Sequence, residues 1–140
     1  MAPRVVLDTN VLVSALRSRR GAAWRLVQRV GTSAFEHVLS VALILEYEAV
    51  CKRPGAGLRV TPEVIDDVLD YLAATGRQQP IHFVWRPTLP DPADDHVLDL
   101  AVAAGASIVT YNRRDFAPAA RFGVAVLTPQ RFLEQLGGTE

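Results

Sequence analysis

Acidic and amide side chains recur in this sequence where chemistry can gather: Asp8-Thr9-Asn10, Glu46, Asp91 to Asp95, Asn112 and Asp115. A carboxylate withdrawn from water must be paired, hydrogen-bonded or bound to a metal ion, so convergence of these groups would make a cation site. Each has a plainer reading as well. Asp8-Thr9-Asn10, taken alone, favours a turn and helix cap. Asp94 and Asp95 open a helical stretch, where negative charge suits the positive end of the macrodipole, so one of the two can be a cap and nothing more. Glu46 resists that explanation. It interrupts Val41-Ala42-Leu43-Ile44-Leu45 at a position expected to face inward, whereas Glu48 points elsewhere. Asp99, one turn beyond Asp95, is expected on the solvent face. Arg113 and Arg114, between Asn112 and Asp115, can meet phosphate.

The elements that must position these groups follow from hydrophobic pattern and punctuation. Arg4 to Asp8 reads as a short buried strand, with helical pieces over Leu12 to Leu16 and Ala22 to Val30. His37 to Ser40 reads as a strand that passes into a helix through about Cys51. Thr61-Pro62-Glu63 starts another helix, with a capping hydroxyl and a proline that gives up no needed hydrogen bond. Ile81 to Val84 is expected as a strand before the proline-rich loop from Pro87 to Pro92. Asp94 to Ala104 is expected as a helix closed by Gly105, Ser107 to Thr110 and Val124 to Leu127 as strands, and Pro129 to Leu136 as a last helix. Alternating strands and helices argue for an α/β sandwich with a mainly parallel sheet, in which ligands collect beyond the carboxyl ends of the strands. Asp8 and Thr110 belong there.

Composition narrows the setting. With 140 residues, 49% of them hydrophobic, the chain fits one domain, residues 1–140, with a real core. The apolar stretch from Val38 to Leu45 is far short of the ~20 residues that span a membrane, and Val5-Val6-Leu7 is too short for a secretory signal. Cys51, the single cysteine, suits a reducing cytosol, so a soluble, cytoplasmic protein without a membrane partner is expected. Residues 1–60 carry nine Lys/Arg against four acids and residues 61–140 six against eleven, or +5 and −5. That asymmetry accords with a basic surface beside an acidic pocket, and also with ordinary solvated charge. Arg17, Arg19, Arg20, Arg25 and Arg29 can track a nucleic-acid backbone or receive an acidic partner segment.

As an ordered set, these features resemble the PIN-domain family, especially its VapC-like toxins. The resemblance spans almost the whole chain. It is carried by Val5-Val6-Leu7-Asp8-Thr9-Asn10-Val11-Leu12, Ser40 followed by Glu46, and Asp91-Pro92-Ala93-Asp94 leading to Ala101 and Gly105. Val109-Thr110 with Asn112 and Asp115, and the tail Leu127-Thr128-Pro129-Gln130-Arg131-Phe132-Leu133, complete it. The resemblance implies a three-layer α/β/α sandwich and a divalent-metal-dependent ribonuclease, the toxin of a toxin-antitoxin pair. It places the first three acidic positions on Asp8, Glu46 and Asp94, with Asp95 as a neighbour. The fourth falls on Asn112, a departure for which Asp115 is the nearby substitute.

On that reading Asp8 and Asp94 are the main ligands of Mg²⁺, or alternatively Mn²⁺. Glu46 acts through a metal-held water or orients the nucleophile, and Asn112 or Asp115 completes the rim with Asn10 and Thr110 in support. The implied partners are an RNA substrate, a cognate antitoxin and a second copy in a homodimer, with Arg17, Arg19, Arg20, Arg113 and Arg114 as contacts to RNA or antitoxin. The alternative is a PIN domain that binds RNA or protein without cutting. A haloacid-dehalogenase-type phosphotransferase fits poorly, because Asn10 stands where that chemistry needs a second aspartate and Lys52 is the only lysine. No GxGxxG follows the first strand. His37, His82 and His96 share no catalytic or zinc spacing and are expected to be structural. Trp24 and Trp85 are expected to pack in place of stacking on bases.

Overall fold

The computed structural model describes residues 2–81 and 89–137. It opens with β1 (Arg4–Leu7), α1 (Thr9–Arg17), α2 (Ala22–Val27) and β2 (Glu36–Leu39), followed by α3 (Val41–Cys51), α4 (Pro62–Thr75) and β3 (Arg77–Gln78). A 3-10 turn (Pro92–Asp94) leads into α5 (Asp95–Ala104), β4 (Ser107–Val109), a kinked 3-10 segment (Arg113–Phe122), β5 (Val126–Leu127) and α6 (Pro129–Gln135). The strand pairings are all parallel, in the order β3-β2-β1-β4-β5.

Val5, Val6 and Leu7 are buried in succession, as expected for a central parallel strand covered on both faces. Helices α1, α2, α3, α4 and α6 pack on one another in a chain of contacts, and α5 lies across β1, β2 and β4. Right-handed crossovers send the connections on the two sides of β1 to opposite faces of the sheet, giving an α/β/α sandwich. The reversal of direction between β1 and β4 opens a crevice beyond their carboxyl ends.

Local chemistry sets the helix starts. Ser40 Oγ accepts from Leu43 N at 3.1 Å, Thr61 Oγ1 from Val64 N at 3.3 Å and Thr128 Oγ1 from Arg131 N at 3.2 Å. Gly105, at φ 63°, closes α5 in the left-handed region where a side chain is strained. Three expectations need adjustment. Helix α2 stops at Val27, and the chain continues through turns to Thr32. The strand beside β2 is Arg77–Gln78, while residues 82–84 of the expected Ile81 to Val84 strand, with His82, Trp85 and Pro87, lie outside the described residues. Asp99 is buried at 5% exposure, because α5 is covered on nearly every side.

Candidate active site

Asp8 follows β1 directly, caps α1, and is 7% exposed. Its Oδ1 accepts from Thr9 N at 2.9 Å and its Oδ2 from the Thr110 hydroxyl at 2.7 Å. Capping and participation in the crevice are therefore compatible roles for one side chain. Burial raises the Asp8 proton affinity above the ordinary carboxyl range, with the hydrogen bonds from Thr110 and Thr9 working against that rise and the charge of Glu46 adding to it. Fully buried Thr110 is a hub: its hydroxyl also accepts from Asn10 Nδ2 at 3.2 Å and from Asn112 N at 3.0 Å. Asn10 Oδ1 in turn accepts from Tyr111 N at 3.2 Å, so the loops after β1 and β4 are stitched together. Beneath them the buried Tyr47 hydroxyl donates to Leu7 O at 2.6 Å.

Glu46 enters this crevice from α3 with both oxygens engaged. Oε2 accepts from the Thr9 hydroxyl, and Oε1 lies 2.7 Å from His96 Nε2. Burial works to raise the Glu46 pKa, but the hydrogen bonds from His96 and Thr9 and the imidazole's charge outweigh it and hold the group below its ordinary value. The His96 pKa is raised in return, first by the hydrogen bond to Glu46 and then by the charges of Glu46, Asp94 and Asp8, against the opposing effect of burial. His96 Nδ1 is buried and has no hydrogen-bond partner among the described residues. His96, expected to be structural, holds Glu46 in place through its Nε2 contact.

Asp94 and Asp95 divide their roles. Asp95 is buried and its Oδ1 accepts from Leu89 N at 2.9 Å, fixing the entry to α5. Asp94, half-buried at the N-terminal boundary of α5, makes no side-chain capping bond. Its pKa rises to about 6, through burial first and then the negative charges of Asp8, Asp91, Asp115 and Glu46. The structure thus brings Asp8, Glu46, Asp94 and Asp115 into one electrostatic neighbourhood, although they arise from four separate places in the chain. Asp115 is half-buried in the first turn of the 3-10 segment, and Asn112 is exposed on the rim.

A field that pushes a proton onto Asp94 is equally favourable to a metal cation, so in charge and donor chemistry these residues fit a divalent ion. Among the described residues, no three His, Cys, Asp or Glu side chains stand together closely enough to hold an ion unaided. The fit is therefore to a cation that keeps much of its own water shell.

The basic residues separate into two groups. Arg17, Arg19, Arg20 and Arg59 rim a groove of about 780 Å³ whose apolar lining includes Leu16, Val60, Val64 and Val68. Trp24 also lines it, with the Arg19 guanidinium 5.6 Å from its ring centroid, so this tryptophan packs at a surface groove. Arg25 and Arg29 do not contribute to the lining. Arg113 lines a different groove, and Arg114 is exposed beside it in sequence.

Residues 4–114 match the family described as PIN domain. In fold the chain is similar to the structure of FitAB bound to an IR36 DNA fragment, with a TM-score of 0.61 at 17% identity over 89% of this chain and 94% of that one. It is also similar to the crystal structure of FitAcB from Neisseria gonorrhoeae, with a TM-score of 0.58 at 18% identity over 90% of this chain and 98% of that one. No curated protein matches the chain.

Proposed function

The chain belongs to the PIN-domain family, and on that premise we propose that it is a divalent-metal-dependent ribonuclease, the toxin of a toxin-antitoxin pair. The observation that supports this most is the environment of Asp94, whose pKa is raised to about 6 by burial first and then by the charges of Asp8, Asp91, Asp115 and Glu46. Asp8 and Asp94 would be the principal ligands of Mg²⁺, with Mn²⁺ as the alternative. Bound there, such an ion supplies a more acidic water and relief of charge on the transferring phosphoryl group.

The side chains divide the remaining work. Thr110 holds Asp8 Oδ2 in one orientation through its 2.7 Å hydrogen bond, and Asn10 fixes Thr110. Thr9 and His96 clamp Glu46 as a carboxylate, which suits it to hold a metal-bound water or orient the nucleophile. Asn112 or Asp115 completes the rim. Because Asn112 occupies the fourth acidic position, a second reading stands beside the first: a PIN domain that binds RNA or protein without cutting.

Two surfaces support the proposed partners. The groove rimmed by Arg17, Arg19, Arg20 and Arg59 over an apolar floor suits an acidic, amphipathic antitoxin segment. Val41 and Leu45, exposed at 74% and 57% on the outer face of α3, suit a homodimer contact. Among the described residues no helix is long and apolar enough to cross a membrane. Free Cys51 accords with a cytoplasmic setting.

Incubation of the protein with single-stranded RNA in Mg²⁺ or Mn²⁺ tests the activity. Cleavage that falls to background in chelator and in folded Asp8→Ala is the expected outcome. Binding without turnover would establish the second reading, and Asp8→Ala cutting at the wild-type rate would remove its assigned role.

A further inference from the structure

A groove of about 450 Å³ is lined by Arg113, Val126, Leu127, Arg131, Glu134 and Gln135, from the start of the 3-10 segment, β5 and α6. We propose that this groove is a subsite for a backbone phosphate of single-stranded RNA flanking the cut bond, held by Arg113 and Arg131. The proposal rests on the ribonuclease reading and adds to it a place where the substrate is anchored.

Hydrogen bonds tie the groove's residues to those of the site. Leu127, in its floor, accepts from Thr110 N at 2.9 Å, and the Thr110 hydroxyl donates to Asp8. Asn112 N bonds the same hydroxyl, so Arg113 begins one residue beyond the rim. Arg131 reaches the same groove from the first turn of α6, so two guanidinium-bearing residues line it, the residue type that suits bidentate contact with phosphate.

Both cations are available. Arg113 has no hydrogen-bond or ion-pair partner among the described residues, and the Arg131 pair with Glu134 is long, at 3.9 Å, with side chains 70% and 53% exposed. Such an exposed pair holds its partners weakly, so a phosphate displaces it at little cost. An acidic centre repels a polyanion, and a nuclease built on one needs positive charge beside it to seat the strand. Half-buried Val126 and Leu127 offer a ribose an apolar floor between the two arginines.

The test is binding of a labelled, mixed-sequence single-stranded oligoribonucleotide in chelator across a salt series, which needs no turnover. Arg113→Gln and Arg131→Gln are each expected to reduce the slope of log affinity against log salt by about 0.7, and the double variant by about 1.4. Arg53→Gln, on the exposed turn after α3, should leave the slope unchanged. Glu134→Gln removes the competing carboxylate and should tighten binding, a gain that misfolding does not mimic. RNA binding with wild-type slopes in both arginine variants overturns the subsite and leaves the nuclease reading standing. No RNA binding by the wild type overturns the RNA reading and the subsite together.

Discussion

The two ends of the same sheet treat buried and half-buried charge in opposite ways. At the amino end, Glu36 opens β2 between two cations: Arg4 Nε lies 3.0 Å and Arg77 Nη1 4.0 Å from its Oε1, and Arg4 also donates to Ala104 O at 3.2 Å. The adjacent His37 is buried, bonded to Thr75 Oγ1 at 3.1 Å, and held neutral by desolvation, its pKa lowered to about 4 with the charge of Glu36 opposing. At the carboxyl end, Asp8, Glu46, Asp94 and Asp115 raise the charge around one another, and among the described residues the basic side chain that pairs with any of them is His96, 2.7 Å from Glu46. One end is balanced within the fold. At the other, Asp94 gathers negative charge that the His96–Glu46 pair does not offset, as the proposed cation site requires.

The largest break in this contrast is a cation. At a concentration about 100-fold above its Kd, Mg²⁺ or Mn²⁺ should stabilise the protein by about 3 kcal/mol, or a rise in thermal midpoint on the order of 5–10 °C. Asp8→Asn/Asp94→Asn should lose that rise. Equal responses in differential scanning fluorimetry would show that the cation acts elsewhere.

A pH series in chelator sharpens the contrast further, because the two ends contribute with opposite sign. His37 has a folded pKa of about 4 against an ordinary 6.5, so the unfolded chain binds the extra proton and stability is lost as pH falls through that window. The full effect is about 3 kcal/mol. Asp94 has a folded pKa of about 6 against an ordinary 3.8, so the folded chain holds the extra proton and stability falls as pH rises through that window. Solvent screening at half-buried Asp94 makes its share smaller. Asp94→Asn should therefore raise the midpoint at neutral pH by about 3 °C and steepen the acid loss, whereas His37→Gln should flatten it. Denaturant titrations from pH 4 to 7.5 measure both, and unchanged slopes in the two variants would reject these assignments.

The smallest effect belongs to the balanced end. Glu36→Gln should cost no more than about 1 kcal/mol, since exposed ion pairs contribute little, and should leave the cation-induced shift intact. A lost cation response in that variant would mean that the two ends are coupled.

Much of this arrangement was legible in the chain. Val5-Val6-Leu7 announces a doubly covered strand, Thr61-Pro62 and Thr128-Pro129 announce helix starts, and the position of Asp8 and Thr110 at strand ends follows from parallel order. The remainder depends on contacts that periodicity does not encode. Strand β3 is two exposed residues, Arg77 and Gln78, held by pairing with β2 and carrying no apolar alternation. Asp99 is buried because neighbours close over α5. His96 meets Glu46 across 50 positions, and no spacing rule links an imidazole to a carboxylate at that distance. Arg131 shares a groove with Arg113 only because β5 and α6 return the chain to the site.

The bond from Thr110 to Asp8 spans 102 positions. Closing so long a loop is slow and comes late, since its entropy must be overcome before any contact rewards it. During synthesis, the first acidic residue emerges long before the threonine that orients it, and a growing chain that stops short of β4 has no hub to hold the crevice together. For a protein whose proposed action is to cut RNA, strand order is then also a delay: the ribosome finishes most of the polypeptide before the blade can be assembled.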